Sequence, residues 1–141
     1  MQSTVSETEL APRLRLAITR SARRLRQEGG GGLSPSLGAA LATIARHGPL
    51  TPSELAARER IQRPTATRVL ARLEETELVL RSPDPVDRRS SLVTASPAGR
   101  ALLDEQRTRK DAFLSERLEA LGAQDRATLE RAAALLEDLL A

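Results

Sequence analysis

The segment ERIQRPTATRVLARLEE, residues 59–75, spreads four arginines among small and apolar residues, with acids only at its two ends. Arginine carries a planar fork of donors that fits guanine edges and phosphate oxygens, so this spacing suits recognition rather than bond-making. At 100° per residue, Ala66, Val69, Leu70 and Leu73 share one helical face, and Pro64, Arg68, Ala71 and Glu75 lie opposite, with Thr65, Thr67 and Arg72 on the flanks. The N-terminal half of the outward face is therefore small residues plus Arg. That allows close approach to base edges: Arg can be bidentate to guanine, and Thr can donate, accept, or offer a methyl to thymine. The helix N-terminus adds free N–H groups and a positive dipole end for phosphate. A helix that only faces solvent usually interleaves Glu with its basic residues, whereas residues 60–73 hold four arginines and no acid.

A second cluster lies in PDPVDRRS, where Asp87 precedes Arg88 and Arg89. An arginine at the tip of a hairpin can enter a narrow minor groove, where the negative potential is enhanced. The plainer alternative is a turn with a local Asp–Arg pair, worth little when exposed. The two are compatible if the aspartate holds one arginine in place. Catalytic chemistry finds no comparable support. The chain has no Cys and one His, and the carboxylate pairs Asp104/Glu105 and Glu137/Asp138 are adjacent on helices, as solvated faces are. The expectation is a protein that is not an enzyme, with no catalytic residues, no metal and no cofactor. His47 falls at an expected helix C-terminus, where a capping or surface role is expected over a ligand role.

The elements that must position these arginines follow from periodicity and punctuation. Residues 8–28 place Leu10, Leu14, Ile18, Ser21 or Ala22, and Leu25 on one helical face, and the four glycines at 29–32 must end that helix. Ser34 caps a second helix with Pro35 in its first turn, which HGPL stops. TPSE at 51–54 fits a capping box opening a short helix to about residue 59. Ile61 can pack in the turn before a helix that Pro64 opens and that runs to about Thr76. LVLRS (78–82) and SLVTA (91–95) read as two strands of a hairpin whose tip holds two prolines and two aspartates. Ser96–Pro97 caps a long helix carrying Leu102, Leu103, Phe113, Leu114, Leu118 and Leu121, which GAQD breaks; a last helix carries Leu129, Leu136, Leu139 and Leu140. The fold class is mainly α. The order helix, short helix, turn, helix, hairpin is a winged helix-turn-helix.

At 141 residues the chain is expected to form one domain, residues 1–141, with residues 34–95 as the winged part and helices at 8–28 and 97–140 flanking it. A single Phe and no Trp or Tyr leave the core to Leu, Ile, Val and Ala, which favours helix packing. The absence of Cys excludes disulfides, thiolate metal sites and thiol-based redox sensing. MQSTVSETEL lacks the basic and apolar segments of a secretory signal, and no apolar run approaches the roughly 20 residues that span a bilayer, so a cytoplasmic protein without a membrane partner is expected. Net charge is only +3, but it is unevenly spread. Residues 1–48 hold seven basic and three acidic groups, and residues 96–141 hold seven and nine.

The stretch SELAARERIQRPTATRVLARLEETELVLRSPDPVDRRSSLVTASPAGRALL, 53–103, resembles the MarR family of bacterial transcription regulators. ELA, RPTATRVLARLE, LVLR, DRR and VTASPAGRALL carry the likeness, in the family's order and with the wing at the family's spacing. The resemblance implies a sequence-specific regulator of double-stranded DNA, commonly a repressor relieved by a small-molecule effector. It implies that Arg63, Pro64, Thr65, Thr67 and Arg68 lie at the major groove, with Arg89 as the wing residue and Asp87 as its support; Gln62, Arg72 and Arg88 are further candidate DNA contacts beside them. It further implies a homodimer on a pseudo-palindromic operator, its terminal helices interlocking through Leu10, Leu14, Ile18, Leu118, Leu129, Leu136, Leu139 and Leu140. Those helices carry more apolar surface than one small winged domain covers, which supports the dimer independently.

The family's effector crevice lies between the dimer helices and the winged part, and here aliphatic residues are expected to line it. Three positions depart from the family pattern: Arg60 and Glu77 stand where Gly or a small residue is common, and Gln62 where a Ser cap is common. The left-handed exit at Glu77 must therefore be made differently or at a cost. The alternative function is a winged helix used for protein–protein contact without specific DNA binding. Such a module needs neither an acid-free recognition face nor wing arginines.

Overall fold

The computed structural model describes residues 4–141, so the first three residues of the N-terminal segment lie outside the described residues. Eight elements follow in order: α1 (Glu7–Gly29), α2 (Pro35–His47), α3 (Pro52–Glu59), α4 (Arg63–Glu75), β1 (Val79–Pro83), β2 (Ser91–Ala95), α5 (Pro97–Glu119) and α6 (Ala123–Leu139). The two strands pair antiparallel, from Val79 opposite Ala95 to Pro83 opposite Ser91. Leu50 adds a bridge on the other side of β2, exchanging both backbone hydrogen bonds with Val93. This is the winged helix-turn-helix expected from the sequence.

Capping sets the helix starts. Ser34, Thr51 and Ser96 each accept a hydrogen bond from the backbone N–H three residues on, with a proline in the first turn. Thr51 and Glu54 complete a capping box, and so do Ser6 and Glu9 at the start of α1. Two boundaries differ from expectation. Helix α4 begins at Arg63, one residue before Pro64, with Gln62 as an N-cap that makes no side-chain bond. The break between α5 and α6 is made by Ala120–Gly122, while Ala123, Gln124 and Asp125 form the first turn of α6. Strand β1 is also shifted by one residue. Leu78 is spent on the helix exit, where its N–H bonds to Leu73 O, and Pro83 ends the strand at a position that needs no further donor.

The left-handed exit expected at Glu77 is present, made by a residue with a side chain, and Arg60 adopts a second one. Arg60 has φ 54° and Glu77 φ 60°. Each closes a helix in the same way: Arg60 N–H meets Ala57 O and Ile61 N–H meets Ala56 O, as Glu77 N–H meets Glu74 O and Leu78 N–H meets Leu73 O. A non-glycine residue held there costs about 1–2 kcal/mol, while Gly raises the entropy of the unfolded chain by about 0.4–1 kcal/mol. The difference sets the sign. Glu77→Gly should stabilise the protein by roughly 0.5–1 kcal/mol, read as a rise in the urea midpoint at unchanged slope; a fall would mean that the carboxylate contributes more than the strain costs.

The core is aliphatic and sits in the winged part: Leu41, Ile44, Leu55, Leu70, Leu73 and Val93 are fully buried, joined by Ala40, Leu50, Leu78 and Val79. The inward stripe of α4 is the expected one, Ala66, Val69, Leu70 and Leu73. Around this core the long helices are less well covered. Helix α1 packs along α5, half-burying Leu14, Ile18, Ala22 and Leu25. Helix α6 buries no residue and has at most grazing contact with the rest of the chain.

Candidate nucleic-acid interface

The outward face of α4 is built from its first two turns. Gln62, Arg63, Pro64, Thr67 and Arg68 are exposed and Thr65 is half-buried, while Arg72 and Glu75 continue the exposed side toward the C-terminus. The inward stripe positions them: four fully or nearly buried residues at three- and four-residue spacing fix the helix's rotation about its axis. Because Gln62 makes no side-chain cap, no side chain takes up the N–H groups of the first turn.

The arginines of this face differ in what holds them. Arg63 donates from Nη1 to Ser53 Oγ, which ties the start of α4 to the first turn of α3. Arg72 pairs with Glu75 at 3.2 Å, so its charge is partly offset on its own helix. Arg68 has only a long contact, Nη2 to Thr65 Oγ1 at 3.5 Å, and forms no ion pair among the described residues. Thr67 gives its hydroxyl hydrogen to Arg63 O at 3.1 Å, which leaves its acceptor lone pairs and methyl group. Arg68 is therefore the guanidinium most available to a base edge.

The wing carries the second cluster. Between β1 and β2 the tip runs through residues 84–90, with Arg88 and Arg89 exposed. Asp87 supports this tip through the main chain: its Oδ1 accepts from the Arg89 N–H at 3.0 Å, and its carbonyl accepts from the Ser90 N–H at 3.0 Å. Asp84 does the same for Val86 at 2.9 Å. The aspartate therefore holds the backbone beneath Arg89, and neither wing arginine forms an ion pair among the described residues.

Two positions that matter to this geometry are not evident in the sequence. Ser53 looks like a mere second residue of a capping box, and Arg81 like an ordinary strand residue. Arg81 in fact reaches both Glu74 on α4 and Ser91 on β2. Its place in LVLR, directly after the recognition helix, is the signal that could have found it.

A groove of about 570 Å³ lies between α2 and α5. The aliphatic lining expected for a crevice between the long helices and the winged part is not what is found. Four cations, Arg46, Arg100, Arg107 and Lys110, and two acids, Asp104 and Asp111, outweigh its alanines and Leu103. The reason is geometric: at the N-terminal end of α5, Leu102 and Leu103 pack against the core cluster, leaving the charged flank of that helix to face the gap. His47 ends α2, exposed, and among the described residues no group of His, Cys, Asp and Glu could hold a metal ion. No described helix is long and apolar enough to cross a membrane.

Comparison with known proteins agrees with this geometry. Residues 33–91 match the family model for the MarR family. Over 136 residues the chain is 40% identical to an HTH-type transcriptional regulator of Mycobacterium leprae, covering 96% of this chain and 95% of that one. The fold matches a crystal structure of a transcriptional regulator from Pseudomonas aeruginosa with a TM-score of 0.88 at 35% identity, over 98% of each chain. It also matches FabT of Streptococcus pneumoniae, solved in complex with DNA, with a TM-score of 0.72 at 17% identity over 92% of this chain and 96% of that one. The exposed α4 face, the arginine-tipped wing and the likeness over the whole chain lead to one assignment: the protein belongs to the MarR family of DNA-binding transcriptional regulators and is not an enzyme.

Proposed function

We propose that the protein is a homodimeric repressor that reads a pseudo-palindromic operator and is released from it by a small-molecule effector. The observation that carries the reading is the outward face of α4, where an unpaired Arg68 stands among small residues beside a wing tipped with two arginines. Gln62, Arg63, Pro64, Thr65, Thr67, Arg68 and Arg72 approach the major groove, and Arg89, with Arg88, the flanking minor groove. Arg63 would have to exchange Ser53 for a phosphate or base, and Arg72 to share its charge with Glu75, so Arg68 contributes most to base preference. A dimer with half-sites one helical turn apart covers roughly 20 bp.

The second copy is the occupant that fits the uncovered helices. Leu10 on α1 and Leu129 and Leu139 on α6 are 47%, 48% and 66% exposed, with Leu140 beyond them at 65%. Leu14, Ile18, Leu118 and Leu136 are only half-buried within one chain. Charge favours the same pairing. Helix α1 carries six arginines against three glutamates, and α6 four acids against two arginines. For the effector, the α2–α5 groove offers more cations than acids and therefore suits an anion.

Arg68→Ala should weaken operator binding by about 1–3 kcal/mol and relax base preference at one position per half-site. Equal losses on operator and random duplexes would reduce Arg68 to a phosphate contact. No loss on either would favour the protein-contact module.

A further inference from the structure

Arg81 lies midway along β1, opposite Val93, at the root of the wing. Its guanidinium joins three elements. Nε donates to the Glu74 carboxylate on the last turn of α4, and Nη1 donates to Ser91 Oγ, 2.8 Å away, at the start of β2. Glu74 is the first acid after the acid-free run of α4, and it meets this one guanidinium rather than a neighbour on its own helix. The two side chains are 38% and 36% exposed, so the pair contributes little to global stability. Its geometry is more telling than its strength. A two-stranded hairpin is marginal by itself, and beyond the buried root formed by Leu78, Val79 and Val93 the exposed ribbon needs a further tie to keep its angle to α4.

We propose that Arg81 is a positioning residue: with Glu74 and Ser91 it fixes the angle between the recognition helix and the wing. The inference rests on the DNA-reading function proposed above. Arg68 and Arg89 must reach neighbouring grooves at the same time, and a wing already held at the right angle loses less freedom on binding than one that swings. Arginine suits the role because its fork serves two acceptors at once, which a single ammonium on a flexible stem holds less well.

The chain has no cysteine, so spin labels on Ala71→Cys, on the exposed side of α4, and Val86→Cys, at the wing tip, attach nowhere else. Labelled chain diluted in excess unlabelled chain reports the helix-to-wing distance within one protomer. A narrow distribution is expected for the parent, and a broad one in both Arg81→Ala and Glu74→Gln. On a duplex selected from a random library, each variant should lose about two- to fivefold of its preference over random duplex, with the double variant losing no more. The diagnostic arm is Glu74→Gln. If Arg81 contacts phosphate directly, removing its acidic partner tightens binding to every duplex, while Arg81→Ala weakens every duplex and lowers the salt slope by about one. That pattern, or an unchanged distance distribution in both variants, would overturn the proposal. A parent protein with no preference for any duplex would overturn the DNA-reading function itself, and the label distances, taken without DNA, separate that failure from a failure of the clamp.

Discussion

Leu136→Asp is expected to turn the proposed homodimer into monomers and to lower operator affinity by about 100-fold or more. Leu136 lies half-buried on α6, a helix with no fully buried residue and none in the core cluster, so the substitution leaves the winged core untouched. What it changes is the surface offered to the second copy. A carboxylate placed in an apolar interface loses its hydration without gaining a partner, a penalty of several kcal/mol. The DNA effect follows from linkage. Two winged parts held in one dimer make the second half-site contact intramolecular, an advantage of about 10²–10⁴ that a monomer forfeits. Sedimentation at micromolar concentration and titration of the same duplex read the two effects. A variant that remains dimeric would place the interface elsewhere, and a monomer with parental affinity would make the dimer irrelevant to DNA binding.

Gly99→Ala is expected to cost about 3 kcal/mol or more, through a contact that cannot relax. A Cβ at position 99 would lie 2.2 Å from the Leu78 carbonyl oxygen and 3.2 Å from Leu41 Cδ1. The leucine tip can shift, but the carbonyl cannot. It already accepts the Ser96 N–H at 3.0 Å, and the Ser96 hydroxyl donates to Glu77 O at 2.7 Å while accepting from the Gly99 N–H at 3.0 Å. These bonds nail the start of α5 to the left-handed exit of α4. The better helix propensity of Ala recovers at most about 1 kcal/mol, so overlap with fixed backbone wins. Thermal unfolding should fall by roughly 10 °C. An unchanged midpoint would mean that α5 can move away from Leu78 without loss.

The elements that position the site were legible because each had punctuation of its own. Ser34–Pro35, Thr51–Pro52 and Ser96–Pro97 announce helix starts by local chemistry, and the apolar spacing of α4 determines which arginines face outward. The capping box of Ser6 and Glu9 was equally local and could have been read from SETE. Other features depend on tertiary packing. The left-handed exit at Glu77 is expected from the glycine it replaces, whereas the left-handed φ of Arg60 follows from the demand of the α3 exit, which overrides residue preference. The Arg81 bridge to Glu74 and Ser91 needs the wing's register and the angle of α4, neither of which is written in a seven-residue window. The charged lining of the α2–α5 groove depends on which flank of α5 turns inward, and that is settled by the core of another element.

In the proposed complex two recognition helices, related by a two-fold axis, read one operator through Arg68 and its neighbours. Selection of bound duplexes from a fully randomised library by the purified protein tests it most directly. Enrichment of a pseudo-palindrome whose half-sites are centred about 10 bp, one helical turn, apart is expected. Selection by the Arg68→Ala variant should return the same spacing with one base position per half-site relaxed. Recovery of no common sequence, or of a single asymmetric site without a second half, would contradict it.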